Sequence, residues 1–242
     1  MSSRSPRYLL LQGRLLEDPM RLQEIDCFAH ALGCDETDLT ALDLLRDRPS
    51  LDQVATFDLV LIGGSGKYSI AGEEDWVEYV LEMMHGLSDR RIPTFGSCWG
   101  FQIIARALGG TVVTDPLRAE LGTLPLTLTE EARRDPVFGD CGTPLLAQLG
   151  HQDIVTSLPE GAVLLASSEQ VENEAFCFSD RPIYCTQFHP ELRRNDFLER
   201  CRTYPHYVET IAGVPVDEFI ETVRDTPEAH QLIRRFVDHV LA

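Results

Sequence analysis

The chain has no apolar stretch long enough to cross a bilayer, and residues Met1 to Arg7 hold no segment of signal-peptide length. Neither insertion into a membrane nor secretion by that route is expected, and the reading is a cytoplasmic protein. Basic residues are scarce: 21 Lys and Arg stand against 39 Asp and Glu, a formal charge of −18. Nucleic acid and anionic membrane would both repel such a surface, so neither is expected as a partner. Cysteines at C-x-x-C spacing are absent. The seven cysteines, at 27, 34, 98, 141, 177, 185 and 201, suggest neither a disulfide framework nor a zinc site. Internal repeats, low-complexity tracts and an interdomain linker are missing as well.

What is present fits one soluble globular unit. With 242 residues, 43% hydrophobic and 25% charged, the chain can bury one sizeable core and is too short for two ordinary ones. A single domain over 1–242 is expected. Residues 8–12 form an apolar run that reads as a buried strand, and 20–32 carry apolar side chains at helical spacing before a stop at Gly33. Further strands are expected at 39–45 and 57–62, an amphipathic helix at 73–87, and a short apolar run at 92–95. This alternation predicts an α/β fold, an open and mostly parallel twisted sheet with helices on both faces, flavodoxin-like. After Gly110 the texture changes to short strands at 111–114, 121–128, 145–149, 163–167, 175–178 and 183–188. These add antiparallel strands to the sheet, and helices at 217–224 and 228–241 close the chain.

One stretch carries chemistry: Gly96-Ser97-Cys98-Trp99-Gly100-Phe101-Gln102. It follows an apolar run and opens a helical pattern, so Cys98 falls at a sharp strand-to-helix turn. Glycines two before and two after let the two backbones pass, and the helix N-terminus favours a negative charge on the sulfur. The plain alternative is a buried cysteine in a tight turn. His189 weighs against that alternative. It ends an apolar run, 183–188, at the kind of strand end where open α/β sheets collect their chemistry. Glu191, two residues on, is placed to hold the second imidazole nitrogen and fix its tautomer. An α/β-hydrolase would put its acid before the histidine, whereas here the acid follows.

Both motifs, and their order, resemble the class I (triad-type) glutamine amidotransferases: Gly96 to Gln102 matches Gly-x-Cys-x-Gly-x-Gln, and His189-Pro190-Glu191 matches His-Pro-Glu. The resemblance runs from the first strand to the helices after His-Pro-Glu. It is closest in shape to stand-alone members, among them γ-glutamyl peptidases. It implies a Cys98–His189–Glu191 triad and a γ-glutamyl thioester formed from glutamine or a γ-glutamyl small molecule, with no cofactor and no metal. An oxyanion needs backbone donors. One is expected from the amide of Trp99, and the resemblance places the other at or beside Gly64. It also implies that Gln102 holds the substrate's amino-acid end, and that the segment containing His151 and Gln152 lies near its α-carboxylate through main-chain contacts.

Competing readings stay open at this level. Gly-Gly-Ser-Gly-Lys at 63–67 hints at a phosphate loop but fails as a Walker A, since Leu61 and Tyr68 stand where Gly and Ser/Thr are required. His151 is a rival base without the His-x-Glu carboxylate, and with Asp153 it lacks an evident third metal ligand. Trp99 either narrows the pocket or packs under the elbow. Three functions fit: a glutaminase subunit serving a separate synthase, a free-standing γ-glutamyl hydrolase, and a non-catalytic module that keeps the fold.

Overall fold

The computed structural model describes residues 5–242; the N-terminal reading falls partly on residues 1–4, outside the described residues. The first half contains β1 (Tyr8–Gly13), α1 (Met20–Leu32), β2 (Leu39–Asp43), α2 (Leu51–Val54), β3 (Leu59–Ser65), α3 (Val77–Asp89), β4 (Thr94–Ser97) and α4 (Trp99–Ala107). There follow β5 (Thr111–Thr114), β6 (Glu120–Leu128), β7 (Leu145–His151), β8 (Asp153–Ser157), β9 (Ala162–Ser167), β10 (Ala175–Phe178) and β11 (Ile183–Thr186). The chain ends in α5 (Arg194–Thr203), α6 (Pro205–Ala212), α7 (Val216–Phe219), α8 (Pro227–His230) and α9 (Leu232–Val240).

Nine strands form one twisted sheet in the order β2-β1-β3-β4-β11-β10-β9-β6-β7. The first five run parallel, and β10, β9, β6 and β7 continue the sheet through antiparallel pairings. The apolar runs follow from this arrangement, because a parallel strand covered on both faces has no polar side to show. Tyr8 and Leu10 enter one core with Leu59, Leu61 and Phe95, under α1 and α9. Leu9 and Leu11 enter the opposite core with Val60 and Ile62, under α3 and α4. Phe236 of α9 fixes the first face, its ring 5.5 Å from Phe95 and 5.4 Å from Tyr184. Gly33 ends α1 in the left-handed conformation (φ 70°) that glycine adopts without penalty.

Several elements depart from the sequence reading. Strand β5 does not join the main sheet; it pairs with β8, which was not foreseen, as a two-stranded ribbon. The helix expected at 217–224 is one α-turn followed by a 3-10 turn, and the one at 228–241 breaks at Gln231 into α8 and α9. Helices α5 and α6 were not foreseen. The sequence of α5, RNDFLERCRT, is polar except at Phe197, Leu198 and Cys201, which pack with Val208, Phe219 and Val223 in a third, smaller core. Among the described residues no helix is long and apolar enough to cross a membrane, and the seven cysteines are unpaired.

Candidate active site

Strand β4 ends at Ser97 and α4 begins at Trp99, so the chain reverses on Cys98 alone. Cys98 adopts φ 53° and ψ −101°, a conformation that costs a non-glycine residue about 1–3 kcal/mol. Its N–H donates to the Thr186 carbonyl at 2.8 Å and its carbonyl accepts the Gln102 N–H at 3.1 Å, so both backbone groups are pinned. A Cβ on Gly96 would stand 2.7 Å from the Gly100 carbonyl carbon, and one on Gly100 would stand 2.5 Å from the Ile62 carbonyl oxygen. Strand, turn and helix thus cross backbone on backbone, and glycine is required at both points. Gly100→Ala is expected to cost about 2–3 kcal/mol by overpacking. Urea unfolding checks this, and an unchanged midpoint would mean that the crossing has slack.

His189 follows β11 and is held in place by its own N–H, which donates to the Gln148 carbonyl at 2.9 Å. Its Nδ1 meets Glu191 Oε1 at 2.7 Å, which leaves Nε2 for Cys98. A Cβ on Gly64 would lie 3.1 Å from His189 Cε1 and 3.8 Å from Cys98 Cβ, so thiol and imidazole share one cradle under that glycine. Glu191 is fully buried and is braced by the Ser97 hydroxyl, which donates to Oε2 at 2.7 Å, and by Arg200, 3.8 Å from Oε1. Burial disfavours both ionised forms, but pairing outweighs it. Glu191 and Cys98 push His189 up to about 9, while His189, Arg200 and Ser97 hold Glu191 down at about 2. Away from this cluster, burial pushes the Cys177 and Cys201 thiols up to about 12, which keeps them inert near neutral pH.

The two expected oxyanion donors differ in their present partners. Trp99 opens α4, where first-turn amides have no partner within the helix. The amide of Gly64, expected to be the second donor, instead donates to Glu24 Oε1 at 3.1 Å. That carboxylate is fully buried and also receives Gln12 at 2.9 Å and Arg14 at 3.1 Å. A buried carboxylate with several donors holds them firmly, and the Gly64 N–H must leave Glu24 before it can face an oxyanion. The Trp99 side chain packs under the elbow, with its ring against Gly13 and 6.0 Å from Trp76.

Gln102 donates to the Asp153 carbonyl and to Gln187 Oε1, both at 3.1 Å, and Gln187 Nε2 lies 3.7 Å from Cys98 Sγ. Gln152 lines the same polar pocket, and its carbonyl accepts the Asp115 N–H at 2.9 Å. His151 directs its Nε2 toward Glu120 and Glu174. Two hollows meet at Cys98. One is polar, with Gln102, Gln152 and Asp153 in its wall. The other is mainly apolar, between Cys98 and α5–α6, with Leu121, Leu192, Phe197 and Val208 in its wall. Sequence reasoning missed Gln187, Ser97, Glu24 and Arg200. Gln187 and Ser97 were within reach, the first two residues before His189 and the second directly before Cys98. Glu24 and Arg200 lie on helices, and only the tertiary fold brings them in.

The chain resembles known proteins in sequence and in fold. Residues 24–199 match the family model described as glutamine amidotransferase class-I. The chain is 32% identical to γ-glutamyl peptidase 3 of Arabidopsis thaliana over 188 residues, covering 76% of this chain and 72% of that protein. It is 30% identical over 172 residues to a subunit of the glutamine-hydrolysing GMP synthase of Sulfolobus acidocaldarius, covering 68% of this chain and 87% of that protein. In fold it resembles the crystal structure of a glutamine amidotransferase from Thermotoga maritima, with a TM-score of 0.77 at 19% identity over 98% of this chain and 99% of that one.

Proposed function

The chain belongs to the class I glutamine amidotransferase family, and from that premise we propose that it hydrolyses γ-glutamyl amides through a thioester on Cys98. The observation that carries the reading is Cys98 at a strained turn, sharing a cradle with an imidazole oriented by a buried carboxylate. Cys98 Sγ attacks the γ-carbonyl carbon, and the oxyanion forms at the N-terminus of α4 beside the Trp99 amide. The C–N bond then breaks and His189 Nε2 gives its proton to the departing nitrogen. Water, deprotonated by the same nitrogen, attacks the thioester; glutamate leaves and the thiol is restored. Glutamine would release ammonia by this route. The polar hollow takes the glutamyl end, with Gln102, Gln152 and the main chain at His151 in its wall.

The apolar hollow favours a second, narrower reading. Ammonia needs no apolar wall, whereas Leu192, Phe197 and Val208 suit a leaving amine with an apolar side chain. A γ-glutamyl dipeptide such as γ-glutamyl-leucine would fill both hollows at once. Steady-state kinetics with the purified chain separates the possibilities. Turnover of γ-glutamyl-leucine with kcat/KM at least tenfold above that of glutamine is expected. Glutamine hydrolysis that starts only when a synthase is added would favour the role named for the Sulfolobus relative. Hydrolysis of neither substrate, with or without a synthase, would reject the enzyme.

A further inference from the structure

We propose that Glu120, His151 and Glu174 form a binding site for a divalent first-row metal ion, zinc above all, behind the polar hollow. The three residues are far apart in sequence and meet through the antiparallel half of the sheet. Register pairs Glu120 of β6 directly with His151 of β7. Glu174 precedes β10, anchored by its N–H on the Ala166 carbonyl at 2.9 Å and by its carbonyl, which accepts the Gln187 N–H at 2.8 Å. All three are buried, at 3%, 3% and 0% exposure.

The distances from the imidazole to the carboxylates do not suit hydrogen bonding, while Glu120 and Glu174 lie close enough to each other to share a proton. His151 Nε2 lies 3.4 Å from Glu120 Oε2 and 3.6 Å from Glu174 Oε1, and one ligand atom from each residue falls within 4.8 Å of the others. A charge-assisted hydrogen bond would close to about 2.7–2.9 Å. Tetrahedral zinc, with bonds of about 2.0–2.2 Å, separates its ligand atoms by about 3.3–3.6 Å. In agreement, Glu120 Oε2, His151 Nε2 and both carboxylate oxygens of Glu174 are buried without a hydrogen-bond partner. Groups of this kind are costly to leave unmatched.

The imidazole is also set for ligation. His151 Nδ1 meets the Asp153 carbonyl at 3.1 Å, so it carries the proton and Nε2 presents its lone pair to the two carboxylates. A backbone carbonyl on the far nitrogen is the usual outer support of a metal-bound histidine. Charge points the same way. Among the described residues, His151 is the only basic group within ion-pairing distance of Glu120 or Glu174. When ionised, the two carboxylates carry a charge that one divalent cation cancels. A single imidazole with carboxylate oxygens suits zinc better than magnesium, which demands octahedral oxygen donors and keeps its waters. Glu174 Oε2 is available as a fourth donor.

The role that follows is support of the substrate wall. The Asp153 carbonyl that orients His151 also accepts from Gln102, and Gln102 reaches Cys98 through Gln187. Metal binding is tested on the chelator-stripped full chain by equilibrium dialysis against zinc chloride and elemental analysis, with Cys98→Ala run in parallel to remove thiolate binding at the elbow. Both proteins are expected to retain one equivalent of zinc, with Glu174→Gln and Glu120→Gln binding at least tenfold more weakly. Cobalt(II) in the site is expected to give visible bands without a sulfur charge-transfer band. In metal-free buffer Glu174→Gln should melt no lower than the parent, since an amide then faces Glu120, while zinc should raise only the parent's melting temperature. If parent and Glu174→Gln retain zinc equally, or neither retains it, the two carboxylates share a proton and the metal site is refuted.

Discussion

Cys98→Ala is expected to lower turnover of any γ-glutamyl substrate by about 10⁴-fold or more, the scale of losing a covalent nucleophile. The fold should hardly notice. Alanine keeps the Cβ, so the φ 53° turn is no more strained than before, and the backbone bonds to Thr186 and from Gln102 are untouched. The unfolding midpoint is therefore expected to stay near that of the parent, which separates loss of chemistry from loss of structure. Mass spectrometry after treatment with a glutamine-like electrophile gives an independent check. The parent should gain one adduct at Cys98 and the variant none, while Cys177 and Cys201, whose thiols stay protonated, should remain unlabelled. A variant that keeps more than a small fraction of the activity would end the thioester reading.

Glu191→Gln is expected to cost about 10⁴-fold in kcat, the scale of replacing the carboxylate that orients a catalytic histidine by an amide. Its pH profile is more telling than its rate. In the parent, Glu191 and Cys98 outweigh burial and push His189 up to about 9, so the imidazolium that protonates the leaving amine persists into mild alkali. Without the carboxylate, burial lowers the imidazole with less to oppose it, and the alkaline limb should move to lower pH. Stability follows the same linkage. The raised His189 contributes in full below its ordinary 6.5 and ceases to contribute as pH rises through about 9. The depressed Glu191 contributes above its ordinary 4.5 and ceases to contribute as pH falls through about 2. The parent should thus lose part of its stability between about pH 6.5 and 9, and Glu191→Gln should lose less over that window. Identical alkaline limbs in the two proteins would show that Glu191 does not govern His189.

Sequence and structure agree where local pattern carries the information. Apolar runs at 8–12 and 57–62 marked central strands because both faces of each are covered, and Gly33 marked a helix end because its φ suits glycine. The elbow was legible because two glycines at fixed offsets have a steric cause. Helix α5 was illegible because only Phe197, Leu198 and Cys201 break its polar run, and its position depends on a small satellite core. The partner that holds the Gly64 amide was illegible because a motif specifies the backbone and says nothing of Glu24, forty positions upstream, which binds it. The grouping of Glu120, His151 and Glu174 depends on antiparallel register, which no spacing rule supplies.

Arg200 lies 3.8 Å from Glu191 and 3.9 Å from Glu24, at the inner side of the same helix that presents Phe197 to the apolar hollow. One short segment therefore combines part of the hollow's wall with a fixed rivet. Exchanging Phe197, which the small third core also holds, would reshape the hollow at some cost in stability, whereas moving the guanidinium would disturb the histidine's partner and the glycine loop together. A redesign of selectivity should graft around that single side chain and leave it in place.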